Sequence, residues 1–195
     1  MADSTSHAVV AVVLQVRAGR MDARVRRVVR ARGETLESAL ARAIDVGSLA
    51  HVEQLETRVL ADGTLATAYL GLLPADAAAP ADGEPPSSAD ERELAAAAQV
   101  RLRAKLSYTN VGFALAPETF TISELRGVYV AALGHDVAAT HLQRVLLRRR
   151  VLERVDGRRA AGRGGGRPAA LFRFASRHLE ITDEFAALRP PLTGG

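Results

Sequence analysis

The sequence has no cysteine and one lysine, Lys105, against 25 arginines. Without cysteine there is no disulfide framework and no thiolate chemistry. Aromatic residues make up 4 % and tryptophan is absent, which argues against a module that stacks single-stranded bases. No apolar run approaches the ~20 residues of a membrane-spanning helix. Residues 1–7 lack the basic start and following apolar segment of a secretory signal, so a cytoplasmic protein without membrane contact is expected. His7, His51, His135, His141 and His178 show no metal-ligand spacing with carboxylates, and no metal site is expected. A Gly-x-Ser-x-Gly nucleophile elbow is missing. The glycines of residues 162–166 lack a following Lys-Ser/Thr and open into a strand, which is not the phosphate loop of nucleotide hydrolases.

What is present is enough for a packed core. The 195 residues are 48 % hydrophobic, giving one or two domains. Charge is unevenly placed. Residues 137–177 hold 11 arginines against Glu153 and Asp156, while residues 1–90 hold 9 arginines and 12 acids. A basic patch confined to one end is the electrostatic footprint of a polyanion partner, here double-stranded DNA.

The basic end also has a readable element order. Leu125, Val128, Tyr129 and Ala132 recur at helical spacing, with Ser123 as the expected cap and Gly134 as the stop. A turn at residues 135–137 leads to a second helix over residues 138–150, where Leu142, Val145, Leu146 and Arg149 share one face. Two apolar strands follow, residues 151–155 and 169–174, with an Arg/Gly-rich tip between them. Helix, turn, helix and long hairpin form the winged helix-turn-helix pattern. Its second helix would enter a major groove and its tip would reach the backbone or the minor groove. The expected DNA-binding residues are Thr140, His141, Gln143, Arg144 and Arg148 on the helix, and Arg158, Arg159, Arg163 and Arg167 on the wing. Gln143 suits an adenine edge and Arg144 a guanine edge, although most protein–DNA hydrogen bonds go to the backbone.

Residues 7–16, rich in valine, read as a buried strand, and residues 23–30 as its partner after a turn at residues 18–22. A helix from about residue 34 to residue 45 carries an apolar stripe of Leu36, Ala39, Leu40, Ala43 and Ile44. Residues 51–60 and 65–73 form a second strand pair, joined at Asp62-Gly63, a hairpin signal. Residues 76–90 are Ala, Pro, Ser, Gly and acid without periodicity, a flexible linker. A helix over residues 91–108 is expected to pack on both halves, and a short amphipathic piece over residues 179–188 sits in the tail. The expected organisation is α+β. Residues 1–75 form a shortened Nudix-like α/β domain, residues 76–90 a linker, residues 91–175 a helix plus winged helix-turn-helix, and residues 176–195 a tail.

The Nudix-like assignment comes from a resemblance. Residues 34–42, 51–57 and 66–70, together with residues 102–109, Phe113, residues 117–121, 124–129 and the wing at 163–168, resemble the Nudix-related transcriptional regulators, the NrtR family. The second set is the more specific. The resemblance implies a Nudix-fold sensor, a homodimer on palindromic operator DNA, repression of genes of NAD metabolism, and release by an ADP-ribose-like nucleotide effector. It requires no cofactor, and the residues holding an effector are not assigned.

One departure bears on chemistry. A working Nudix box needs Arg-Glu-x-x-Glu-Glu, whose clustered carboxylates hold magnesium against a pyrophosphate. Here Arg42 is followed by Ala43, Val46 and Gly47 at the glutamate positions, and no Pro-Gly-Gly loop precedes the helix. A non-enzymatic regulator is therefore expected. The alternatives are a nucleoside-diphosphate hydrolase with a basic tail, and a winged helix that docks another protein.

Overall fold

The structure, a computed structural model, describes residues 6–80, 82–159 and 168–183, with backbone only at position 158. Its first half is a four-stranded sheet in the order β2-β1-β4-β3, built from β1 (His7–Arg17), β2 (Arg20–Val29), β3 (His51–Val59) and β4 (Leu65–Leu73). β1 and β4 lie side by side, parallel, in the centre. Both are buried along nearly their whole length, which is why they read as unbroken apolar runs. The β1–β2 turn is tighter than the five residues expected. Ala18 and Gly19 alone close it with φ of 48° and 74°, so Met21 and Asp22 remain in the ladder opposite Val16 and Gln15. Two left-handed residues suffice for a hairpin that follows the strand twist.

Helix α1 (Leu36–Ala43) is shorter than its apolar stripe suggested. Thr35 caps it by accepting from the Ser38 amide at 3.1 Å. Glu34 stays outside the helix, accepts from the Ala31 amide at 2.7 Å and pairs with Arg42 at 3.0 Å. After Ala43 the backbone becomes extended at Ile44, with φ of −145°, which seats that side chain in the core. One face of the sheet packs Val9, Ala11 and Val13 against Ala39, Leu40 and Ala43 of α1.

The other face carries the rest of the molecule. Ala8, Val10, Val12 and Leu14 share one apolar cluster with Leu94, Ala98, Leu102 and Leu106 of helix α2 (Ala89–Tyr108), and that cluster continues to Phe174. The helix packs on both halves, as expected. It starts at Ala89 because Ser88 and Glu91 form a capping box, which satisfies two otherwise orphaned amides.

The segment expected as a flexible linker, residues 76–90, is tied to the sheet at Ala77 and Glu84, and the residues just before it are tied as well. Gln15 donates from Nε2 to the carbonyls of Pro74 and Ala77 at 2.9 Å each. The Ala75 amide donates to Leu115 at 2.8 Å, and Val25 and Glu84 exchange backbone hydrogen bonds at 2.8 and 3.0 Å. Low-complexity composition carries no trace of such long-range pairing.

A charged cluster joins α2 to β3. The Glu53 carboxylate meets Lys105 at 2.7 Å, His51 at 3.1 Å and Arg101 at 3.3 Å. Burial pushes this carboxyl up, but hydrogen bonds from Lys105 and His51 and their charges outweigh that and hold it below the usual range. Glu53→Ala leaves Lys105 only 14 % exposed and without its carboxylate. The expected loss is about 1.5 kcal/mol of stability at neutral pH, measured by chemical denaturation. Because the folded-state pKa is depressed, this contribution is complete above the ordinary glutamate value and disappears as pH falls through the folded one. Wild type and variant should therefore converge in acid.

Helix α3 (Ile122–Leu133) follows, capped by Thr121 and not by Ser123 as expected. Glu124 three positions on completes a capping box, an arrangement only Thr121 can enter. Gly134 ends the helix with φ of 77°, and Leu125, Val128, Tyr129 and Ala132 are its buried face, both as expected. Arg126 pins the turn: its Nε donates to Val137 at 2.8 Å, and the guanidinium pairs with Asp136. Helix α4 (Ala139–Arg148) leads through Arg150, at φ 55°, into β5 (Leu152–Arg159) and β6 (Ala169–Phe174). Phe120 exchanges backbone hydrogen bonds with Phe172 at 2.8 and 2.9 Å, so the wing strands are anchored on the residue that precedes the α3 cap.

Residues 179–183, the start of the expected amphipathic piece, are not helical. They lie along the end of α2, where Asn110 holds them. Its Nδ2 donates to His178 at 2.8 Å, and its Oδ1 accepts from the Glu180 amide at 2.8 Å. The backbone groups a helix would use are already engaged. Residues 184–188 lie outside the described residues.

Candidate nucleic-acid interface

The buried stripe of α4 is Leu142 and Leu146, with Val145 and Arg149 partly buried beside them. That fixes which residues face outward. Thr140, His141, Arg144 and Arg148 are exposed, and Gln143 is half-buried. Arg144 makes only a 3.5 Å contact with His141, and Arg148 has no hydrogen bond or ion pair with the described residues. Leu147 is also exposed, at 41 %. Arg149 turns inward, donating to Thr182 at 2.9 Å and to the Thr109 carbonyl at 3.0 Å. Burial lowers its pKa, partly countered by Tyr129 and Asp183.

The wing residues divide. Arg159 ends β5 opposite Ala169 and pairs with Glu124 of α3. Arg158 lies on β5 with its side chain undescribed, and Arg163 and Arg167 fall outside the described residues.

The structure adds two residues that were not among the expected DNA-binding set. Arg154 of β5 and Ser123 of α3 line a hollow of about 360 Å³ with Gln143, Ala169 and Phe172. Neither Arg154 nor Ser123 has a partner among the described residues. The opening turn of one helix, the middle of the next and a wing strand therefore converge on one recess with a cation and two neutral polar groups. Such a recess suits a phosphate oxygen, since phosphate contacts fix orientation on a duplex. Strand alternation could have placed Arg154 on one face of β5, but only the fold puts Ser123 across from it.

On the sheet side, Ala43 and Ile44, in the stretch compared above with the Nudix box, are 1 % and 5 % exposed within the core. Arg42 is taken by Glu34 and by the Val29 carbonyl at 2.8 Å. The Asp45 carboxylate accepts from the Gly47 amide at 3.0 Å. A cavity of about 250 Å³ opens beside the end of α1, lined among others by Val13, Asp45, Ser48, Leu73 and Asp82.

These parts define a Nudix-like sheet domain joined through a helix to a winged helix-turn-helix. Residues 112–174 match the NrtR DNA-binding winged helix domain. Among known proteins, the ADPR responsive transcriptional repressor NtrR of Acinetobacter baylyi is 36 % identical over 92 residues. That match spans 47 % of this chain and 36 % of the relative, so the chain covers about a third of that protein. The NrtR of Shewanella oneidensis, solved with a 27mer DNA, superposes with a TM-score of 0.66 at 23 % identity, over 86 % of this chain and 92 % of that one. A second crystal structure of that protein gives 0.65 at 21 % identity, over 86 % and 93 %. A MutT/nudix family protein from Enterococcus faecalis gives 0.59 at 14 % identity, covering 89 % and 88 %. The chain thus shares the fold of both groups, and its similarity in sequence is to transcriptional regulators.

Proposed function

We propose that this protein is a transcriptional repressor that binds palindromic operator DNA as a homodimer through α4 and the wing. Its Nudix-like half would serve as sensor and dimerisation unit without hydrolysing nucleotides. The observation that carries this reading is the exposed face of α4. Among the described residues Arg144 and Arg148 have no carboxylate partner there, and the neighbouring hollow adds Arg154. The proposed functional units are residues 1–75, 76–90, 91–175 and 176–195, the first and third sharing one apolar core. A helix set in the major groove, with flanking cations on phosphates, is the standard geometry for such a surface. The response to ADP-ribose stated for the Acinetobacter relative makes an ADP-ribose-like nucleotide the proposed effector.

The test is selection of bound fragments from a pool of random duplexes, followed by addition of ADP-ribose to the preformed complex. A palindromic consensus and release of DNA are expected. Failure to retain any duplex would overturn the reading. Arg154→Ala should weaken binding to every duplex alike, and flatten the log–log salt dependence by about one unit, because one phosphate contact is lost. Titrations across a salt series check this.

A further inference from the structure

The pairing of Arg159 with Glu124 puts a carboxylate inside the surface proposed above to meet phosphates. Glu124 is fixed there by the fold. One of its carboxylate oxygens accepts from the Thr121 amide at 2.7 Å to complete the α3 capping box, and the other receives the Arg159 guanidinium. The partner arginine sits at the root of the wing tip, opposite Ala169, which also lines the hollow shared by Ser123 and Arg154. Both side chains of the pair are open to solvent, 41 % for Glu124 and 47 % for Arg159. Burial raises the Glu124 pKa, and hydrogen bonds from Thr121 and then Arg159 bring it below the usual carboxylate value. The residue is therefore charged at neutral pH.

We propose that Glu124 tunes the charge of the DNA interface: its carboxylate takes the place of a phosphate on Arg159 in the free protein, and a backbone phosphate of the duplex exchanges for it on binding. This rests on the DNA-binding reading. Exposed ion pairs are weak, so the pair is exchangeable, and a polyanion with its condensed counterions is a stronger competitor than one carboxylate. The carboxylate keeps the wing arginine in a defined place when DNA is absent. It also holds down affinity for any duplex, which leaves base contacts from α4 a larger share of discrimination. Its companion on the wing, Glu153 with Arg173 at 3.0 Å, joins two adjacent strands and does not reach α3.

Glu124→Gln tests the exchange, because glutamine still accepts from the Thr121 amide and preserves the cap. Thermal melting should show an unchanged midpoint. Affinity for a random-sequence duplex at low salt should rise about three- to tenfold, because phosphate no longer has to displace a carboxylate from Arg159, with a salt slope steeper by up to about one, because no released carboxylate takes up a cation. In an Arg159→Ala background the same substitution should give no gain. An unchanged affinity and slope, or an equal gain without Arg159, would overturn the proposal while leaving DNA binding intact. A wild-type protein that binds no duplex would overturn both.

Discussion

Alanine at position 144 is expected to lower affinity for the selected operator by about ten- to a hundredfold, or about 1–3 kcal/mol. The expectation follows from the packing of α4. Leu142 and Leu146 are buried at 5 % and 1 %, which turns Arg144 outward. Among the described residues no carboxylate pairs with its guanidinium, and His141 at 3.5 Å is its one hydrogen-bond contact. A guanidinium in that position can hold guanine by two parallel hydrogen bonds, and losing them leaves the base edge unpaired in the groove. The measurement is a pair of titrations, one with the selected duplex and one with a random duplex. A larger loss on the selected duplex identifies base reading. Equal losses would reduce Arg144 to a phosphate contact, and no loss on either would remove α4 from the groove.

The second large effect concerns stability. Asn110→Ala is expected to cost about 3 kcal/mol, read from the chemical denaturation midpoint. Asn110 is 2 % exposed, and its side chain both donates to His178 and accepts from Glu180, each at 2.8 Å. Alanine removes both bonds, each worth about 1 kcal/mol, and empties the space of a buried side chain, which adds a cavity cost. Asn110→Asp separates the two roles, since it keeps the acceptor and loses the donor. An intermediate loss is expected. A variant as stable as wild type would show that residues 176–183 hold their place by other contacts, among them the Thr182 amide on the Tyr108 carbonyl at 2.8 Å.

What the sequence disclosed and what it hid follow from the range of the interactions. The buried faces of α3 and α4 were legible because helical periodicity is local: Leu125, Val128, Tyr129 and Ala132 are the buried set. The Ala18-Gly19 turn and the Thr121–Glu124 box are local too, yet composition alone spread the first over five residues and assigned the second to Ser123. Other features depend on chain crossing at distance. Asn110 meets Glu180 seventy residues away, and Glu124 meets Arg159 thirty-five residues away. The recess around Arg154 needs a strand, two helices and a returning strand to converge. No periodicity encodes those meetings, so the outward arginines of α4 could be named beforehand while the residues that surround and counterbalance them could not. The charge asymmetry showed which end is basic, but not that Arg149, counted among the cations, is spent on Thr109 and Thr182.

One apolar interior runs from Val12 of the central strand through Leu102 to Phe174 of the wing. Close-packed interiors shift between discrete arrangements and do not bend smoothly. Packed side chains join the sheet and the wing among the described residues, so each chain of the proposed dimer is expected to move as one lever. In the proposed dimer, an effector seated at the sheet would act by changing the span between the two groove-reading helices. The decision to hold or release an operator would then be made across the symmetry axis and not inside a single chain.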